Sequence, residues 1–250
     1  MKPSQPVVLI SGGTSGIGLA TAAIVLRKGW RIMLLGRDEQ KGQAALQTLG
    51  VSSEQAQYVA CDVTDDAACA QAVTATIDAY GALNGLVTSA GMYEEQLLEN
   101  TTPTDVEAIF AVNVYGTISL CRYALPHLKR TQGSIVTVSS DAGLQGNIAC
   151  SLYGATKGAV VAFTKSLALE AAPHNVRVNC VCPGDVDTPM LAAQLAAHPD
   201  TNRDEMKEQY PLYRLATAAE VGEAIAFLLS PAASFITATA LPVDGGLTSW

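Results

Sequence analysis

The chain has 250 residues, of which 49% are hydrophobic, and it carries 15 Lys and Arg against 23 Asp and Glu, for a net charge of -8. This length and apolar content suit a single α/β domain, residues 1–250, with a large core. Because the balance is acidic and no run of basic residues occurs, we expect neither nucleic acid nor a membrane surface as a partner.

Six cysteines are spread along the chain without a CxxC pair or a histidine at metal-ligand spacing, so no metal site is expected. Cys180 and Cys182 flank Val181 in a strand-like run, which places both thiols on one face as small buried hydrophobes. Reduced thiols predict a cytoplasmic protein. The N-terminal segment agrees, since its apolar run, residues 7–10, is too short for the core of an export signal.

Short β-rich runs alternate with longer helical patterns, and the runs are apolar throughout instead of alternating. The predicted strands are residues 7–11, 31–36, 57–62, 83–89, 134–139 and 176–182. Residues 224–243 carry no charge over a membrane-spanning length, but Pro231 and several Ser and Thr interrupt them, so a helix, a turn and a buried strand are expected there. The pattern predicts a doubly wound, Rossmann-type parallel sheet of about seven strands with helices on both faces.

Capping signals mark the starts of two helices. Thr102 precedes Pro103 at a first-turn position, and Thr217 with Glu220 forms a capping box before an apolar run. Residues 189–215 depart from the pattern of short connections, because they combine an Ala-rich part, two prolines and a charge cluster. This insertion after the sixth strand is a candidate lid over a substrate pocket, and a solvated surface excursion is the alternative.

A glycine-rich turn follows the first predicted strand and opens the first helix. Its residues are Ser11, Gly12, Gly13, Thr14, Ser15, Gly16, Ile17 and Gly18. Glycines let the backbone approach a pyrophosphate closely, and the helix N-terminus directs unpaired N–H groups at the same place. This context predicts a dinucleotide site. The spacing of Gly12, Gly16 and Gly18 resembles the TGxxxGxG turn of the short-chain dehydrogenase/reductase family, with Ser11 in place of the usual Thr.

The resemblance implies that the end of the second strand meets the adenosine ribose. The acidic residue that would accept hydrogen bonds from the ribose hydroxyls is replaced by Gly36, and Arg37 follows it. Arg37 would pair with a 2′-phosphate, which favours NADP(H), although Ser15 does not supply the second basic charge that many family members carry in the turn. If Asp38 is aligned with the ribose instead, Arg37 is an ordinary surface charge and NAD(H) fits.

Three further segments resemble the family's cofactor contacts. The segment that would hold the adenine ring is Asp62 and Val63. The segment in place of the family's NNAG has lost both asparagines and consists of Thr88, Ser89, Ala90 and Gly91. The segment that would face the nicotinamide carboxamide contains Pro183, Gly184, Val186 and Thr188. In this last segment the resemblance implies a backbone contact from Val186 and a hydroxyl contact from Thr188.

Tyr153 and Lys157 stand four residues apart near the start of a helix, so they share one face with Cβ atoms roughly 5 to 6 Å apart. An ammonium held there favours the phenolate, so we expect Lys157 to lower the pKa of Tyr153 and make it an acid or base near neutrality. Ser140 ends the fifth strand and can reach the same cleft. With Asn113 these residues resemble the family's Asn-Ser-Tyr-Lys tetrad, which implies that Ser140 binds the substrate oxygen and Asn113 holds a water in a proton relay through Lys157.

The tetrad implies hydride exchange between NADP(H), or NAD(H), and a small alcohol or ketone, with Tyr153 moving the proton. The short spacing between Tyr153 and Lys157 favours carbonyl chemistry, because family members that reduce enoyl thioesters space the pair further apart. No GxSxG elbow surrounds a candidate serine, which disfavours Ser-His hydrolysis. A catalytically silent dinucleotide-binding regulator on the same fold is the alternative, and the intact tetrad argues against it.

The residues expected around the substrate are notably polar, which predicts a hydroxylated or otherwise polar small molecule. They are Met92, Tyr93, Asp141, Gln145, Asn147, Cys150 and Asp185. The resemblance also implies a homotetramer. Its interfaces would be formed by the helices that begin at Pro103 and Tyr153, and by the Thr217 helix with the C-terminal strand.

Overall fold

The computed structural model describes residues 5–250, so residues 1–4 of the expected N-terminal segment lie outside the described part. The fold is built on one seven-stranded parallel sheet. Its strands are β1 Val7–Ser11, β2 Arg31–Gly36, β3 Ala56–Ala60, β4 Gly85–Thr88, β5 Ser134–Val138, β6 Arg177–Pro183 and, after two short strands, β9 Ala240–Val243. The two short strands, β7 Val186–Asp187 and β8 Ala216–Thr217, pair with each other in a separate ribbon.

The strand order β3-β2-β1-β4-β5-β6-β9 confirms the predicted Rossmann-type sheet. The order reverses between β1 and β4, which is the position where doubly wound folds bind nucleotides at the carboxyl ends of the strands. Every residue of β1, β4 and β5 is buried, as a parallel sheet covered on both faces requires. Residues 224–243, uncharged over a membrane-spanning length, form the end of a helix, a short turn and strand β9, as expected.

Two helical layers cover the sheet. The helices are α1 Gly16–Arg27, α2 Glu39–Leu49, α3 Asp66–Tyr80, α4 Pro103–Phe110, α5 Gly116–Thr131, α6 Ser151–Ala171, α7 Pro189–Ala197, α8 Arg203–Glu208 and α9 Ala218–Leu229. Helices α1, α2 and α9 pack on the face that receives Val8 and Ile10 of β1, and α3, α5 and α6 pack on the face that receives Val7 and Leu9. Because side chains alternate along each strand, one apolar run fills both cores.

Both predicted capping signals are present at α4 and α9. Thr102 caps α4 in a reciprocal box with Asp105, and Thr217 caps α9 in the same way with Glu220. A π-helical segment, Ala111–Tyr115, joins α4 to α5, and the continuous stretch Pro103–Thr131 has the length and apolar content that a membrane crossing requires. Half of its most apolar window is buried inside the fold, and core helices of soluble proteins have the same composition, so this is weak evidence for a membrane span.

The insertion at 189–215 is helical with breaks, as predicted. It contains α7 and α8, and its ends are joined by the β7–β8 ribbon through the pairs Val186 with Ala216 and Asp187 with Thr217. The insertion has a small apolar core of its own, made of Leu191, Met206, Tyr210 and Leu215. A segment that is joined at its base and packed on itself can hold side chains over the carboxyl edge of the sheet.

Candidate active site

A cavity of about 600 Å³ runs along the carboxyl edge of the sheet. Arg37 and Asp62 border one end, which lies beyond β2 and β3, and Tyr153 and Asp185 border the other. The predicted cofactor residues on its wall are Gly12, Thr14, Ser15, Gly16, Ile17, Arg37, Asp62, Val63, Ser89, Ala90, Gly91, Tyr153, Lys157, Pro183, Gly184, Val186 and Thr188. Residues from six separate segments of the chain are therefore brought to one cleft.

Two residues of the glycine-rich turn lie behind the cavity wall, which differs from their prediction as cofactor contacts. Ser11 is buried, and its Oγ accepts a hydrogen bond from the Ala90 backbone N–H at 3.2 Å. Gly18 is buried as well, and a Cβ there would collide with the carbonyl oxygen of Gly12. These residues shape the turn and tie it to β4, because their own atoms are already used in close packing.

The N-terminus of α1 suits a pyrophosphate. Ser15 occupies the N-cap position, and its side chain makes no hydrogen bond to the first turn of the helix. The N–H groups at a helix start have no partner within the helix, so an anion in the cavity can accept hydrogen bonds from them. Gly12 has φ of +63°, and a Cβ there would lie 2.7 Å from the backbone nitrogen of Ala90, so only glycine allows this close turn. The residues present fit a dinucleotide.

Two cations line the end of the cavity next to β2. They are Arg37, which was predicted, and Lys41 in the first turn of α2, which was not. Asp38 also lines this end of the cavity, and it caps α2 through Oδ1, which accepts from the Lys41 backbone N–H at 3.1 Å. A Cβ at Gly36 would lie 2.8 Å from Cγ2 of Thr14, so an acidic side chain has no room there. Lys41 lies three residues after Asp38, the N-cap of α2, and this spacing is the signal that sequence reasoning overlooked.

Tyr153 and Lys157 share one side of α6, as their spacing predicts, and both are buried. The ammonium does not point at the phenol oxygen. Nζ of Lys157 lies 5.5 Å from the centroid of the Tyr153 ring and donates a hydrogen bond to the Val138 carbonyl oxygen at 3.1 Å. Burial lowers the pKa of Lys157 to about 8.

The pKa of Tyr153 is raised, so the expectation that Lys157 lowers it is wrong for this geometry. Burial of the phenol is the largest cause, and the carboxylates of Asp141 and Asp185 raise the pKa further, while Ser140 lowers it. Transferring a phenolate out of water costs more free energy than its attraction to an ammonium over the ring face recovers. Tyr153 is therefore protonated at neutral pH and available as an acid.

Ser140 begins a polar network next to Tyr153. Its Oγ donates to Oδ1 of Asp141 at 2.7 Å, and Asn147 donates through Nδ2 to Oδ2 of the same carboxylate at 2.9 Å. The Ala142 backbone N–H donates to Ser140 Oγ at 3.2 Å, which fixes the position of the hydroxyl at the end of β5. The structure thus brings Ser140, Tyr153 and Lys157 together at one end of the cavity.

Asn113 lies in the π-helical segment, behind the cavity wall, and is fully buried. Its Oδ1 accepts from the Met92 backbone N–H at 2.8 Å, and its Nδ2 donates to the Met92 carbonyl and to Oγ1 of Thr156, both at 3.0 Å. The side chain holds the loop after β4 against α6. A Cβ on Gly91 would lie 3.5 Å from Asn113 and 3.6 Å from the Lys157 ammonium, so the three residues are neighbours. The relay role of Asn113 stays a prediction.

Six of the seven predicted substrate residues line the cavity: Met92, Tyr93, Asp141, Gln145, Asn147 and Asp185. Cys150 differs, because its buried thiol lies behind the wall with Sγ 3.4 Å from the Tyr93 hydroxyl. The Tyr93 ring meets the Tyr153 ring edge-on, with centroids 4.8 Å apart.

Sequence reasoning missed the wall residues that the insertion supplies, among them Gln194 and Tyr210. Gln194 of α7 donates to the Tyr93 hydroxyl at 3.1 Å, and the Tyr210 hydroxyl donates to Oδ2 of Asp185 at 2.8 Å. Gln194 is the one polar side chain in the sequence of α7, PMLAAQLAA, which is a signal that could have been used. The partners of both residues come from loops that follow β4 and β6, so no spacing in the sequence predicts the contacts.

The chain matches a family model described as enoyl-(acyl carrier protein) reductase over residues 12–248. The L-fucose dehydrogenase of Oryctolagus cuniculus is 37% identical over 244 residues, which is 96% of this chain and 84% of that protein. The chain belongs to the short-chain dehydrogenase/reductase family. Another relative is 2-(S)-hydroxypropyl-CoM dehydrogenase 3 of Xanthobacter autotrophicus, 36% identical over 97% of this chain and 96% of its own length.

A solved structure of ElxO with NADP bound superposes on this short-chain dehydrogenase/reductase with a TM-score of 0.92 at 31% identity, over 98% of this chain and all of the other. The protein is a nicotinamide-dependent oxidoreductase, as predicted, and the silent-regulator alternative loses its support. The description of the matched family model names an enoyl reductase, whereas the two curated relatives named above are dehydrogenases.

Proposed function

We propose that this short-chain dehydrogenase/reductase interconverts a small, polar secondary alcohol and its ketone, with NADP(H) as the preferred cofactor and NAD(H) as a weaker one. One observation carries the proposal: Ser140, Tyr153 and Lys157 meet at one end of a cavity whose other end is lined by Arg37 and Lys41. When bound, the nicotinamide would supply or accept the hydride.

Tyr153 would move the proton. Because its pKa is raised, its hydroxyl is protonated at neutral pH and can donate to the oxygen of a ketone as that oxygen gains charge. Ser140, fixed by Asp141 and Ala142, would orient the same oxygen. Lys157, with a pKa of about 8, can change its protonation state near neutrality.

The preference for NADP(H) rests on the charges beside β2. Arg37 and Lys41 together offer two cations to a 2′-phosphate, and Gly36 stands where the ribose-binding carboxylate would be. Asp38 caps α2 through Oδ1 and also lines this end of the cavity, which is why NAD(H) is the weaker cofactor in the proposal. The ElxO structure, which has NADP bound, supports the same choice.

The proposal also covers a lid over the cavity, the cellular location and the oligomeric state. Residues 189–215 would act as the lid, which their contribution of Gln194 and Tyr210 to the cavity wall supports. A cytoplasmic location is supported by six cysteines that are all free thiols. We further propose a homotetramer that works without a membrane or nucleic acid, in keeping with the acidic net charge.

The test is Tyr153→Phe, assayed by the absorbance of reduced nicotinamide with a panel of ketones and alcohols. We expect turnover to fall by roughly 10²- to 10⁴-fold, because the acid–base group is lost, while NADPH binding measured by fluorescence stays nearly unchanged. Tyr115→Phe is the matched control, since Tyr115 is an exposed tyrosine outside the cavity wall. A Tyr153→Phe enzyme with full activity would refute the assignment.

A further inference from the structure

The substrate end of the cavity is acidic. Asp141 and Asp185 both line it, and Glu95 stands directly behind Tyr93, whose hydroxyl donates to Glu95 Oε2 at 2.9 Å. Among the residues that the structure describes, Lys157 is the cation on this part of the wall, and its ammonium is turned to the Val138 carbonyl. A negatively charged substrate would therefore meet like charges here without a compensating cation.

Asp185 has an acceptor to spare. Its backbone N–H donates to the Tyr210 hydroxyl at 2.7 Å, and this hydroxyl donates to Oδ2 at 2.8 Å, so the carboxylate is held in one orientation. Within the described part of the chain, no group donates to Oδ1 of Asp185, and the side chain lines the cavity. A carboxylate oxygen held rigid in a partly buried site is a strong acceptor for a ligand hydroxyl.

Amide groups stand beside the carboxylates. Asn147 is oriented by its hydrogen bond to Asp141, Gln194 is oriented by Tyr93, and Gln145 adds a third amide to the wall. A hydroxyl group both donates and accepts, so it is satisfied where a carboxylate and an amide are close together. A ketone without further hydroxyls would leave these polar groups without partners once water is displaced, which costs binding energy.

We propose that the substrate is a neutral polyhydroxylated compound, an aldose or a polyol, and that Asp185 and Asp141 accept hydrogen bonds from hydroxyls other than the reacting one. The proposal rests on the proposed function and names the substrate class of the same site. In oxidation, the carbon that bears the reacting hydroxyl would give a hydride to the bound nicotinamide, and that hydroxyl would give its proton to Tyr153. In reduction, the hydride and the proton would move in the opposite direction. Phosphorylated sugars are excluded by the two carboxylates.

The first experiment compares substrates with the unaltered enzyme and NADP(H). The probes are D-glucose, L-fucose and ribitol, analogues of each that lack one hydroxyl other than the reacting one, the corresponding sugar phosphates, and cyclohexanol with cyclohexanone. We expect kcat/KM for the best neutral sugar or polyol to exceed that for its least active deoxygenated analogue by roughly 10- to 100-fold, because one hydrogen bond to a charged group is lost. The sugar phosphates should react more slowly than their neutral parents.

The second experiment removes the charge of Asp185. In Asp185→Asn the amide oxygen can still accept from Tyr210, so the fold is retained, but KM for the best sugar should rise roughly 10-fold or more and the discrimination against its deoxygenated analogue should shrink. Asn147→Leu, in the irregular loop before α6, should reduce the same discrimination by removing the amide. Glu208→Gln is the matched control, since it removes one carboxylate from an exposed position on α8 and should leave the discrimination intact.

A reading independent of turnover is the rise in melting temperature of the NADP-loaded enzyme when the sugar is added, which should be smaller in Asp185→Asn. If cyclohexanone or cyclohexanol is turned over as well as every sugar and polyol, in a reaction that Tyr153→Phe abolishes, the polyhydroxylated class and the polarity of the substrate are overturned. The proposed alcohol–ketone oxidoreduction through Tyr153 then still stands. If a sugar phosphate is preferred, the class is overturned as well. If NADPH does not bind and no probe reacts, the proposed function itself fails.

Discussion

Tyr153 works in a pocket where two effects oppose its ionisation. The phenol is buried, and two carboxylates face it, so its pKa is raised although a lysine stands one turn away on the same helix. Lys157 is itself buried, and this burial lowers its pKa to about 8. The low dielectric that strengthens their mutual attraction also penalises each charge, and the penalty is the larger contribution here.

Asp141→Asn tests this balance. Alcohol oxidation needs Tyr153 deprotonated, so kcat/KM for oxidation rises with pH toward the pKa of Tyr153. Removing the charge of Asp141 takes away one cause that raises this pKa, so the rising limb should move to lower pH, by roughly one unit. The measurement is the pH profile of cyclohexanol oxidation, with Glu208→Gln as the control. A profile that superimposes on that of the unaltered enzyme would contradict the role of Asp141.

The junction of β2 and α2 illustrates how one short connection carries the charges on which the proposed cofactor preference rests. The strand ends at Gly36, where Thr14 leaves no space for a side chain, and the helix begins with Asp38 as its cap. The cap uses Oδ1 of Asp38, and it places Lys41 one turn further, beside Arg37 on the cavity wall. The residues that end β2 and begin α2 therefore also line the end of the cavity where the proposed 2′-phosphate would lie.

Arg37→Ala and Lys41→Ala should each weaken NADPH binding by roughly 10-fold or more and leave NADH binding nearly unchanged, since each removes a charge-assisted hydrogen bond to the 2′-phosphate. Dissociation constants from nicotinamide fluorescence at fixed ionic strength measure both. Lys129→Ala, a charge loss on α5 outside the cavity wall, is the control. Equal losses for NADPH and NADH would show that these cations bind the common part of the cofactor.

Several of the exposed large hydrophobic side chains fall in two separate regions, and these support the proposed assembly. The helix patch, on α5, its π-helical start and α6, consists of Tyr115, Ile118 and Leu169. The C-terminal patch, on α9 and the segments around β9, consists of Phe227, Phe235 and Trp250. They coincide with the two interfaces that the family resemblance implies, and a closed assembly with two kinds of two-fold interface contains four chains.

Light scattering should therefore give four times the mass of one chain. Leu169→Glu in the helix patch and Phe235→Glu in the C-terminal patch should each convert the tetramer to a dimer, because a carboxylate cannot be buried there without a partner. Leu98→Glu is the control, since Leu98 is equally large and exposed but lies outside both patches. A monomer mass for the unaltered protein would overturn the proposed tetramer.

Local pattern alone determined the architecture of this protein. The apolar runs 7–11 and 31–36 match β1 and β2 at both ends, and the helix starts at Thr102 and Thr217 form as predicted, because each depends on neighbours a few residues away. The family's glycine turn and its tetrad residues were also visible, since their identity and order are properties of the chain.

The direction of the Tyr153 pKa shift, the second cation at Lys41 and the contacts of Gln194 and Tyr210 required the tertiary structure. The tertiary structure also decided that Ser11, Gly18 and Cys150 lie behind the cavity wall and not on it, because each position depends on how closely another segment packs. Spacing along a helix places two side chains on one face, but the direction of a terminal ammonium and the depth of a phenol depend on atoms contributed by strands and loops far away in the chain. Electrostatic energies follow those distances and the exclusion of water, and neither is encoded in any local run of residues.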